Sequence, residues 1–349
     1  MPQQFSGTLE WFGATTFRLR TRGLTIFLDT WLEKPVSLGK CLPISDVHEA
    51  DYIFISHAHF DHLPGADKIA KQTGAIVYAN CEAVNLLRRA GVQDSQLIAV
   101  QGGERIPLFT KKIREQATKG EIPLRPGPPG APPHPHPDHA VLSVDVWPAL
   151  HCLIPRHDQI PDVMDTGVIY PGPAHPYVCT FDVNFGMKHG LLQIDKHVPE
   201  SHQNAGMKAF IRYIRDRESH VFSDHDGGQL MYNFHVDRDQ KGLLWSAHLG
   251  GYEGILRMLE PKPHIAVLGI AGIANHNGRP FNGSAADYVS AQVRWLGEPA
   301  QVIWCLHDER QVCIAPYYVK TDVATQRVEQ ETSSKVTGMK IMELIEFTF

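Results

Sequence analysis

Alternating apolar and polar positions open the chain and predict short strands. The runs Thr8–Phe12, Thr16–Arg20 and Leu24–Leu28 alternate in this way, and Arg20–Gly23 has the composition of a hairpin turn. In chain order, the pattern then predicts the strand Asp51–Ser56, the helix Gly65–Gln72, the strand Ala75–Ala79, the helix Glu82–Ala90, and the strands Gln96–Val100 and Ser143–Ala149. This alternation indicates an α/β architecture in which helices cover a sheet.

A comparable order of elements returns in the last third of the chain. It consists of the predicted strands Gln229–Val236 and Gly242–Ser246, the helix Gly251–Leu259, the strand Ile265–Ile270, the helix Ala285–Leu296 and the strand Gln301–Leu306. The order weakly resembles that of the N-terminal half. Asp29 and His248 occupy comparable places in the two halves.

Two segments interrupt the regular pattern. Residues Glu121–His139 are too rich in proline and glycine for a helix or strand, so we expect an extended surface loop whose histidines face solvent. The segment Cys152–His220 is the second interruption, and its amphipathic stretch Met207–Arg217 predicts a helix. Long insertions beside a site often act as lids or pocket walls. We expect residues 1–349 to form one domain that carries both insertions.

Composition and charge place the chain among folded globular proteins. Of the 349 residues, 43% are hydrophobic and 20% are charged, which are ordinary values. Apolar stretches such as Ile265–Ala274 are too short to span a bilayer, and Met1–Gly13 lacks the basic start and apolar core of a signal peptide. A net charge of −5 provides no field that would collect nucleic acid. We therefore expect a cytoplasmic protein whose partner is a small molecule rather than a nucleic acid or a membrane.

Cysteine and histidine raise different expectations. The six cysteines are scattered without a CxxC pair, which is typical of reduced, partly buried thiols rather than of a disulfide framework. The 20 histidines raise the question of metal binding, because imidazole is the commonest neutral metal ligand in proteins.

One dense motif indicates metal binding. It is His57-Ala58-His59-Phe60-Asp61-His62, which directly follows a predicted strand. Alternate positions of an extended segment project to one side, so His57, His59 and Asp61 can converge, and a turn into the next helix brings His62 to a neighbouring position. Imidazoles with a carboxylate suit zinc or a related borderline metal, and the lack of cysteine in the motif argues against a zinc finger. A polar helix cap is the structural alternative, and it does not account for three histidines in six residues.

With this motif, the chain resembles the metallo-β-lactamase superfamily, and more particularly its lactonase-like hydrolases related to ascorbate-6-phosphate lactonase. The resemblance covers most of the chain outside the two insertions and is carried by several further segments. These are the opening WFGATTFRL, FLDT at Asp29, WPALH ending at His151, LLWSAHLG around His248 and VIWCLHDE containing His307. It implies an α/β fold arranged as a four-layer αβ/βα sandwich that presents metals at one edge.

The resemblance also implies a set of metal ligands. His57, His59 and His151 would form the first site, and Asp61, His62 and His307 would form the second. Asp29 would orient one of the ligands, a role compatible with capping its own loop.

The chain departs from the family pattern at two places. His248 stands where the family usually has an aspartate that bridges the metals, and imidazole normally binds one metal only, so the number of metals is open. Either His248 is a terminal ligand or Asp224 or Asp226 supplies the missing charge, and we favour His248. The family also usually has a histidine near the first glycine, whereas this chain reads Gly13-Ala14-Thr15-Thr16, so a contact behind the ligands is expected to be lost there.

Such a site predicts a hydrolase holding one or two zinc ions, with manganese or iron as alternatives. A bound zinc lowers the pKa of water from 15.7 to about 7, and the resulting metal-bound hydroxide would attack an acyl carbon while Asp61 orients the water or moves its proton. We predict a lactonase or lactamase that opens a cyclic ester or amide of a small molecule. Aromatic molecules are among the expected substrates. The alternatives are a phosphodiesterase of the type that cleaves N-acylethanolamine phospholipids and a noncatalytic metal-binding scaffold.

Apolar and aromatic residues after His151 would suit the wall of a pocket, and simple core packing is the equal alternative. They are Ile160, Val163, Tyr170, Tyr177, Phe181 and Phe185.

Overall fold

The computed structural model describes residues 5–39, 41–153, 163–169, 180–236, 241–308 and 318–349. The strands are β1 Ser6–Trp11, β2 Phe17–Thr21, β3 Leu24–Leu28, β4 Tyr52–Phe54, β5 Ile76–Ala79, β6 Leu97–Ala99, β7 Arg105–Leu108, β8 Leu142–Pro148, β9 Val163–Asp165, β10 Leu230–His235, β11 Gly242–Ser246, β12 Gly250–Gly251, β13 Pro263–Gly269, β14 Asn275–His276, β15 Arg279–Pro280, β16 Gln301–Cys305, β17 Tyr318–Lys320, β18 Lys335–Thr337 and β19 Leu344–Thr348. The helices are α1 Ala66–Thr73, α2 Cys81–Arg89, α3 Lys111–Thr118, α4 Thr180–His189, α5 Ile194–His197, α6 Ala205–Arg215, α7 Glu253–Met258, α8 Ala285–Trp295 and α9 Asp322–Glu331.

The first sheet is mixed and joins strands of the N-terminal part of the chain to β19 from its C-terminal end. Among the described residues it has seven strands in the order β19-β1-β2-β3-β4-β5-β6. The strands from β19 to β3 pair antiparallel, and those from β3 to β6 pair parallel. The predicted turn between β2 and β3 is confirmed, since Arg22 and Gly23 adopt φ of 51° and 76°, the left-handed region that tight hairpin turns require.

The second sheet has the same size and combines β7 and β8 with strands from the later part of the chain. Its seven described strands follow the order β18-β16-β13-β11-β10-β8-β7. The strands β18, β16, β13 and β11 run parallel, while β10, β8 and β7 pair antiparallel. The described residues therefore form two mixed sheets of equal size, and each sheet exchanges strands with the other part of the chain.

Alternation of side chains along the central strands explains why the sheets stack. In β4, Tyr52 and Phe54 pack into the apolar cluster between the two sheets, whereas Ile53 joins the cluster beneath α1 and α2. In β11, Trp245 faces the space between the sheets and Leu244 faces the layer that contains α8 and α9. Helices thus cover the outer face of each sheet, and the predicted four-layer αβ/βα sandwich is confirmed.

The proline-rich loop Glu121–His139 lies mostly exposed on the surface. Its regular structure is a single antiparallel bridge between Leu124 and Pro135 and a short 3-10 turn at Pro137–His139. The ring of His134 packs edge-on against Phe109, with centroids 5.3 Å apart. The loop is therefore attached to the fold by few contacts.

The second insertion packs onto the motif region. Its predicted helix is present as α6, whose buried face includes Phe210 and Tyr213. The hydroxyl of Tyr213 accepts a hydrogen bond from Trp31 Nε1 (3.0 Å) and donates one to the backbone oxygen of Phe60 (3.1 Å). Since Phe60 lies inside the histidine motif, α6 covers the segment that carries the ligands.

Part of the predicted pocket wall can be located. Val163 is 48% exposed and Phe185 is 56% exposed, so neither is packed into the core. Ile160, Tyr170 and Tyr177, and the side chain of Phe181, lie outside the described residues. Among the described helices, none combines the length and the apolar character needed to cross a bilayer.

Candidate metal centre

The motif His57–His62 forms the loop that follows β4, and backbone hydrogen bonds fix its path. The Ala58 N–H donates to the backbone oxygen of Asp226 at 3.0 Å, which ties the loop to the start of β10. The His62 N–H donates to the backbone oxygen of His59 at 3.3 Å, and this turn brings the third histidine back toward the first. The predicted return of His62 after the turn is what the structure shows.

Five of the described histidines converge at one edge of the sandwich, and we call them the histidine cluster: His57, His59, His62, His151 and His248. Ring centroids lie 3.9 Å apart for His57 and His62, 4.9 Å for His57 and His248, and 3.8 Å for His151 and His248. His57 Nε2 lies 3.0 Å from His59 Nδ1. His151 follows β8 and His248 follows β11, so both sheets contribute to the cluster.

Several of these nitrogens are suited to a metal. The potential ligand atoms of His57, His59 and His151 lie within 4.8 Å of one another, as do those of His57, His62 and His248. The buried atoms His59 Nε2 and His62 Nε2 and both ring nitrogens of His248 have no hydrogen-bond partner among the described residues. A buried polar atom without a partner costs about 1–3 kcal/mol, and a metal ion would satisfy these lone pairs. The residues present therefore fit a zinc-type metal centre.

Burial keeps three members of the cluster neutral. It lowers the pKa of His57, His59 and His248 well below the ordinary value of imidazole, and the neighbouring imidazoles lower it further. Neutral imidazole is the form that binds a metal, so these rings are ready to act as ligands at neutral pH.

His62 has the opposite electrostatics. Burial alone would lower its pKa, but Asp61 and Asp29 raise it to about 9. Its Nδ1 lies 2.6 Å from Asp29 Oδ2, and its Nε2 lies 3.5 Å from Asp61 Oδ2. Burial also opposes the charge of Asp61, yet the adjacent His62 holds the pKa of this carboxyl below its usual range. Asp29 therefore fixes one side of the His62 ring and leaves Nε2 directed toward Asp61.

Asp29 is itself held by a set of buried donors. The residue is fully buried at the end of β3 and adopts φ of 50°. Its carboxylate accepts hydrogen bonds from Thr15 Oγ1 (2.7 Å), from Ser56 N (2.8 Å) and from Ser56 Oγ (2.8 Å). Thr15 Oγ1 also lies 2.9 Å from His62 Nδ1. At Gly13–Thr16, where a contact behind the ligands was expected to be lost, Thr15 thus contacts both Asp29 and His62.

His248 and the two aspartates considered beside it lie in different surroundings. His248 belongs to the groups of mutually close ligand atoms, and in the described part of the chain neither Asp224 nor Asp226 does. The Asp226 carboxylate accepts a hydrogen bond from Asn184 Nδ2 at 3.3 Å, and Asn184 Oδ1 accepts one from Asp226 N at 3.0 Å. The geometry thus agrees with the preference for His248.

The structure does not bring His307 into the histidine cluster. Its ring stacks on Trp11, with centroids 4.8 Å apart and planes 11° apart. It lies outside the groups of close ligand atoms that the described residues form. The sequence resemblance implied a ligand here, and the aromatic neighbour that holds the ring was not visible from the motif.

Two further residues near the centre were not singled out from the sequence. Cys152 follows His151 directly, and its backbone oxygen accepts a hydrogen bond from His151 Nδ1 at 2.7 Å, which leaves Nε2 of that ring as the nitrogen for a metal. Asn184, from α4 of the second insertion, exchanges hydrogen bonds with Asp226, whose backbone oxygen binds Ala58 of the motif loop. Cys152 could have been found from its position directly after the expected ligand His151. No feature of the sequence marks Asn184.

Comparisons with known proteins agree with this geometry. Residues 49–154 match the model of the metallo-beta-lactamase superfamily. A UPF0173 metal-dependent hydrolase from Pyrobaculum neutrophilum is 28% identical over 100 residues, which are 29% of this chain and 44% of that protein. The matched part spans less than half the length of such curated relatives.

Similar solved structures extend over nearly the whole chain. Igni18, a metallo hydrolase from the hyperthermophilic archaeon Ignicoccus hospitalis, gives a TM-score of 0.54 at 17% identity and covers 99% of both chains. An isothiocyanate hydrolase from Delia radicum gut bacteria gives 0.50 at 12% identity, covering 98% of this chain and 100% of its own. At these identities the likeness concerns the fold. The chain therefore has the metallo-β-lactamase fold, and its motif-bearing residues 49–154 match the metallo-beta-lactamase superfamily.

Proposed function

We propose that this protein is a metal-dependent hydrolase. The observation that carries the proposal is the histidine cluster, whose buried ring nitrogens lack hydrogen-bond partners among the described residues and lie beside the partly exposed Asp61. The match of residues 49–154 and the metal-dependent hydrolases among the relatives support it.

The proposed ligands divide between the two groups of close atoms. His57, His59 and His151 would hold one metal, and His62 and His248, with Asp61, would hold a second. When bound, such a metal supplies Lewis acidity and lowers the pKa of water. Zinc is our proposal for its identity, because neutral imidazoles with one carboxylate are typical zinc donors.

The side chains around the metal would then divide the remaining work. The Asp61 side chain is 19% exposed, so it can reach a water or substrate at the edge of the cluster and accept a proton there. Asp29 keeps the His62 ring in one orientation through its 2.6 Å contact. Because the histidines are buried, water would reach the reacting atoms mainly from the Asp61 side.

We propose a cyclic ester or amide as the substrate class, which makes the protein a lactonase or lactamase acting on a small molecule. The hydrogen bonds described for the histidine cluster and for Asp61 involve no arginine or lysine, the residues that usually bind a phosphate. This favours a neutral acyl centre over a phosphodiester.

The test combines metal analysis with turnover of three substrates. Protein purified without added metal is analysed for transition metals and then assayed, as prepared and after chelation, with a lactone, a lactam and a phosphodiester. We expect bound metal, and we expect chelation to abolish opening of the lactone or lactam. His59→Ala should lose both metal and turnover, whereas the control His139→Ala, in the surface loop, should keep both.

Three outcomes would contradict the proposal in different ways. Protein that neither holds nor regains a transition metal would refute the metal centre. Bound metal with faster turnover of the phosphodiester would establish the phosphodiesterase instead. Bound metal without turnover of any of the three substrates would support a noncatalytic scaffold.

A further inference from the structure

Cys152 places a sulfur atom beside the metal centre. It follows His151 at the end of β8 and is 6% exposed. Its Sγ lies 3.7 Å from His151 Nδ1. The potential ligand atoms of His151, Cys152 and His248 all lie within 4.8 Å of one another, which is close to the spacing that ligands of one metal ion need.

His248 provides a second, independent indication of a ligand at this place. The side chain is 4% exposed, and neither of its ring nitrogens has a hydrogen-bond partner among the described residues. Its ring lies over that of His151, with centroids 3.8 Å apart and planes inclined by 29°. A buried imidazole with two unsatisfied nitrogens next to a thiol is the donor pair of a soft metal site.

The charge balance of the centre also favours a further anionic ligand. Imidazole adds no negative charge to a bound metal, and the carboxylate of Asp29 is already engaged by Thr15, Ser56 and His62. Asp61 is then the anionic side chain at the cluster that would balance part of the charge of a buried divalent ion. A buried charge that is not matched by an opposite charge is costly, so one more anionic ligand would stabilise the bound metal.

The backbone opposite Cys152 holds the sulfur in position. Gly272 adopts φ of 96°, and a Cβ at this residue would lie 2.8 Å from the sulfur. Leu153 and Ile273 exchange backbone hydrogen bonds of 2.8 and 2.7 Å on either side of this contact. The sulfur is therefore fixed between the loop backbone and the His151 ring, and it needs little rearrangement to bind a metal.

We propose that Cys152 is a metal ligand that binds through Sγ together with His248, and that this sulfur makes the site prefer zinc or cobalt over manganese or magnesium. The inference rests on the metal centre of the proposed function. A cysteine binds metal as the thiolate, which provides the additional negative charge. Soft sulfur ligands favour zinc and related ions over the hard, oxygen-preferring ones.

Cobalt(II) loading of the full-length protein tests this directly, because a thiolate ligand gives an intense sulfur-to-cobalt charge-transfer band in the near ultraviolet. We expect the band in the parent protein and its loss in Cys152→Ser at unchanged cobalt content. The control Cys81→Ser, at an exposed cysteine on the helix α2, should keep the band at full intensity. For the zinc-loaded parent, X-ray absorption should show a sulfur neighbour at about 2.3 Å, and this measurement does not depend on a variant that folds.

The outcomes separate this inference from the proposed function. Stoichiometric cobalt without the band, or a band that Cys152→Ser leaves unchanged, would overturn the sulfur ligand and leave the hydrolase proposal standing. Zinc with only nitrogen and oxygen neighbours would overturn it equally. A parent protein that binds no cobalt would overturn both.

Discussion

At the scale of single residues, Asp29 holds the orientation of His62, one of the proposed metal ligands. Its carboxylate lies 2.6 Å from His62 Nδ1 and accepts hydrogen bonds from Thr15 and Ser56. An amide at this position keeps the shape, but it loses the charge that attracts the Nδ1 proton. Partners of this kind are worth about 10- to 100-fold in metal affinity.

We therefore expect Asp29→Asn to weaken zinc binding by about 10- to 100-fold. Competition with a chromophoric chelator measures the affinity. The matched control is Asp94→Asn, which alters an exposed aspartate that pairs with Arg88 on the surface. Parental zinc affinity in Asp29→Asn would mean that Thr15 and Ser56 suffice to orient His62.

The residue scale also shows where sequence reasoning succeeds. The motif His57–His62 predicted a convergence of ligands because its spacing fixes which side chains share a side of the loop. The role of Thr15 depends on a hydroxyl that reaches Asp29 from the turn between β1 and β2, and the position of His307 depends on the face of Trp11. Both are tertiary contacts that no local spacing encodes.

At the scale of elements, the helix α6 supports the motif loop through one hydroxyl. Tyr213 bonds both Trp31 Nε1 and the backbone oxygen of Phe60, and all three groups are buried. Removing the hydroxyl leaves a donor and an acceptor without partners. We expect Tyr213→Phe to lower the free energy of unfolding by about 1–3 kcal/mol.

Urea denaturation of the metal-free protein measures this difference. The partly exposed Tyr252 supplies the control, since Tyr252→Phe removes a hydroxyl that water can replace. Equal stability of Tyr213→Phe and the parent would show that α6 is held by its apolar face alone.

The proline-rich loop Glu121–His139 is the element that we expect to take no part in metal binding. It is mostly exposed, and its histidines are not among the described groups of close ligand atoms. We expect its replacement by a short Gly/Ser linker to leave zinc content and zinc affinity unchanged, because the loop contributes little to a packed core. Elemental analysis measures the zinc content. A Gly/Ser segment as long as the native loop is the control for loop length. Loss of zinc in both variants would identify a ligand in the loop.

Strands and helices with a clear periodicity were predictable, whereas a strand that pairs across a long sequence separation was not. The alternation of β1, β2 and β3 and the amphipathic pattern of α6 are local signals, and all four elements are confirmed. The strand β19 was not predicted. It pairs with β1 from the opposite end of the chain, so its place is set by the register of Leu9 with Ile345 rather than by its own sequence.

At the scale of the whole molecule, the histidine cluster joins the two sheets of the sandwich. His57, His59 and His62 follow a strand of the first sheet, while His151 and His248 follow strands of the second. A metal bound by residues of both sheets stabilises the native arrangement, because the unfolded chain cannot hold these ligands together. Metal removal should therefore lower the stability of the entire fold and not only of the loop.

The last prediction measures this connection. At free zinc about 1,000-fold above its dissociation constant, binding adds about 4 kcal/mol to the free energy of unfolding, so the Tm should rise clearly with zinc. In His248→Ala the gain should be smaller, because one ligand from the second sheet is lost, while His139→Ala should keep the full gain. Thermal unfolding in zinc buffers of fixed free concentration gives both values. A Tm independent of zinc would refute a metal that links the two sheets. A full rise in Tm for His248→Ala would show that His248 does not bind this metal, and His151 would then be the ligand from the second sheet.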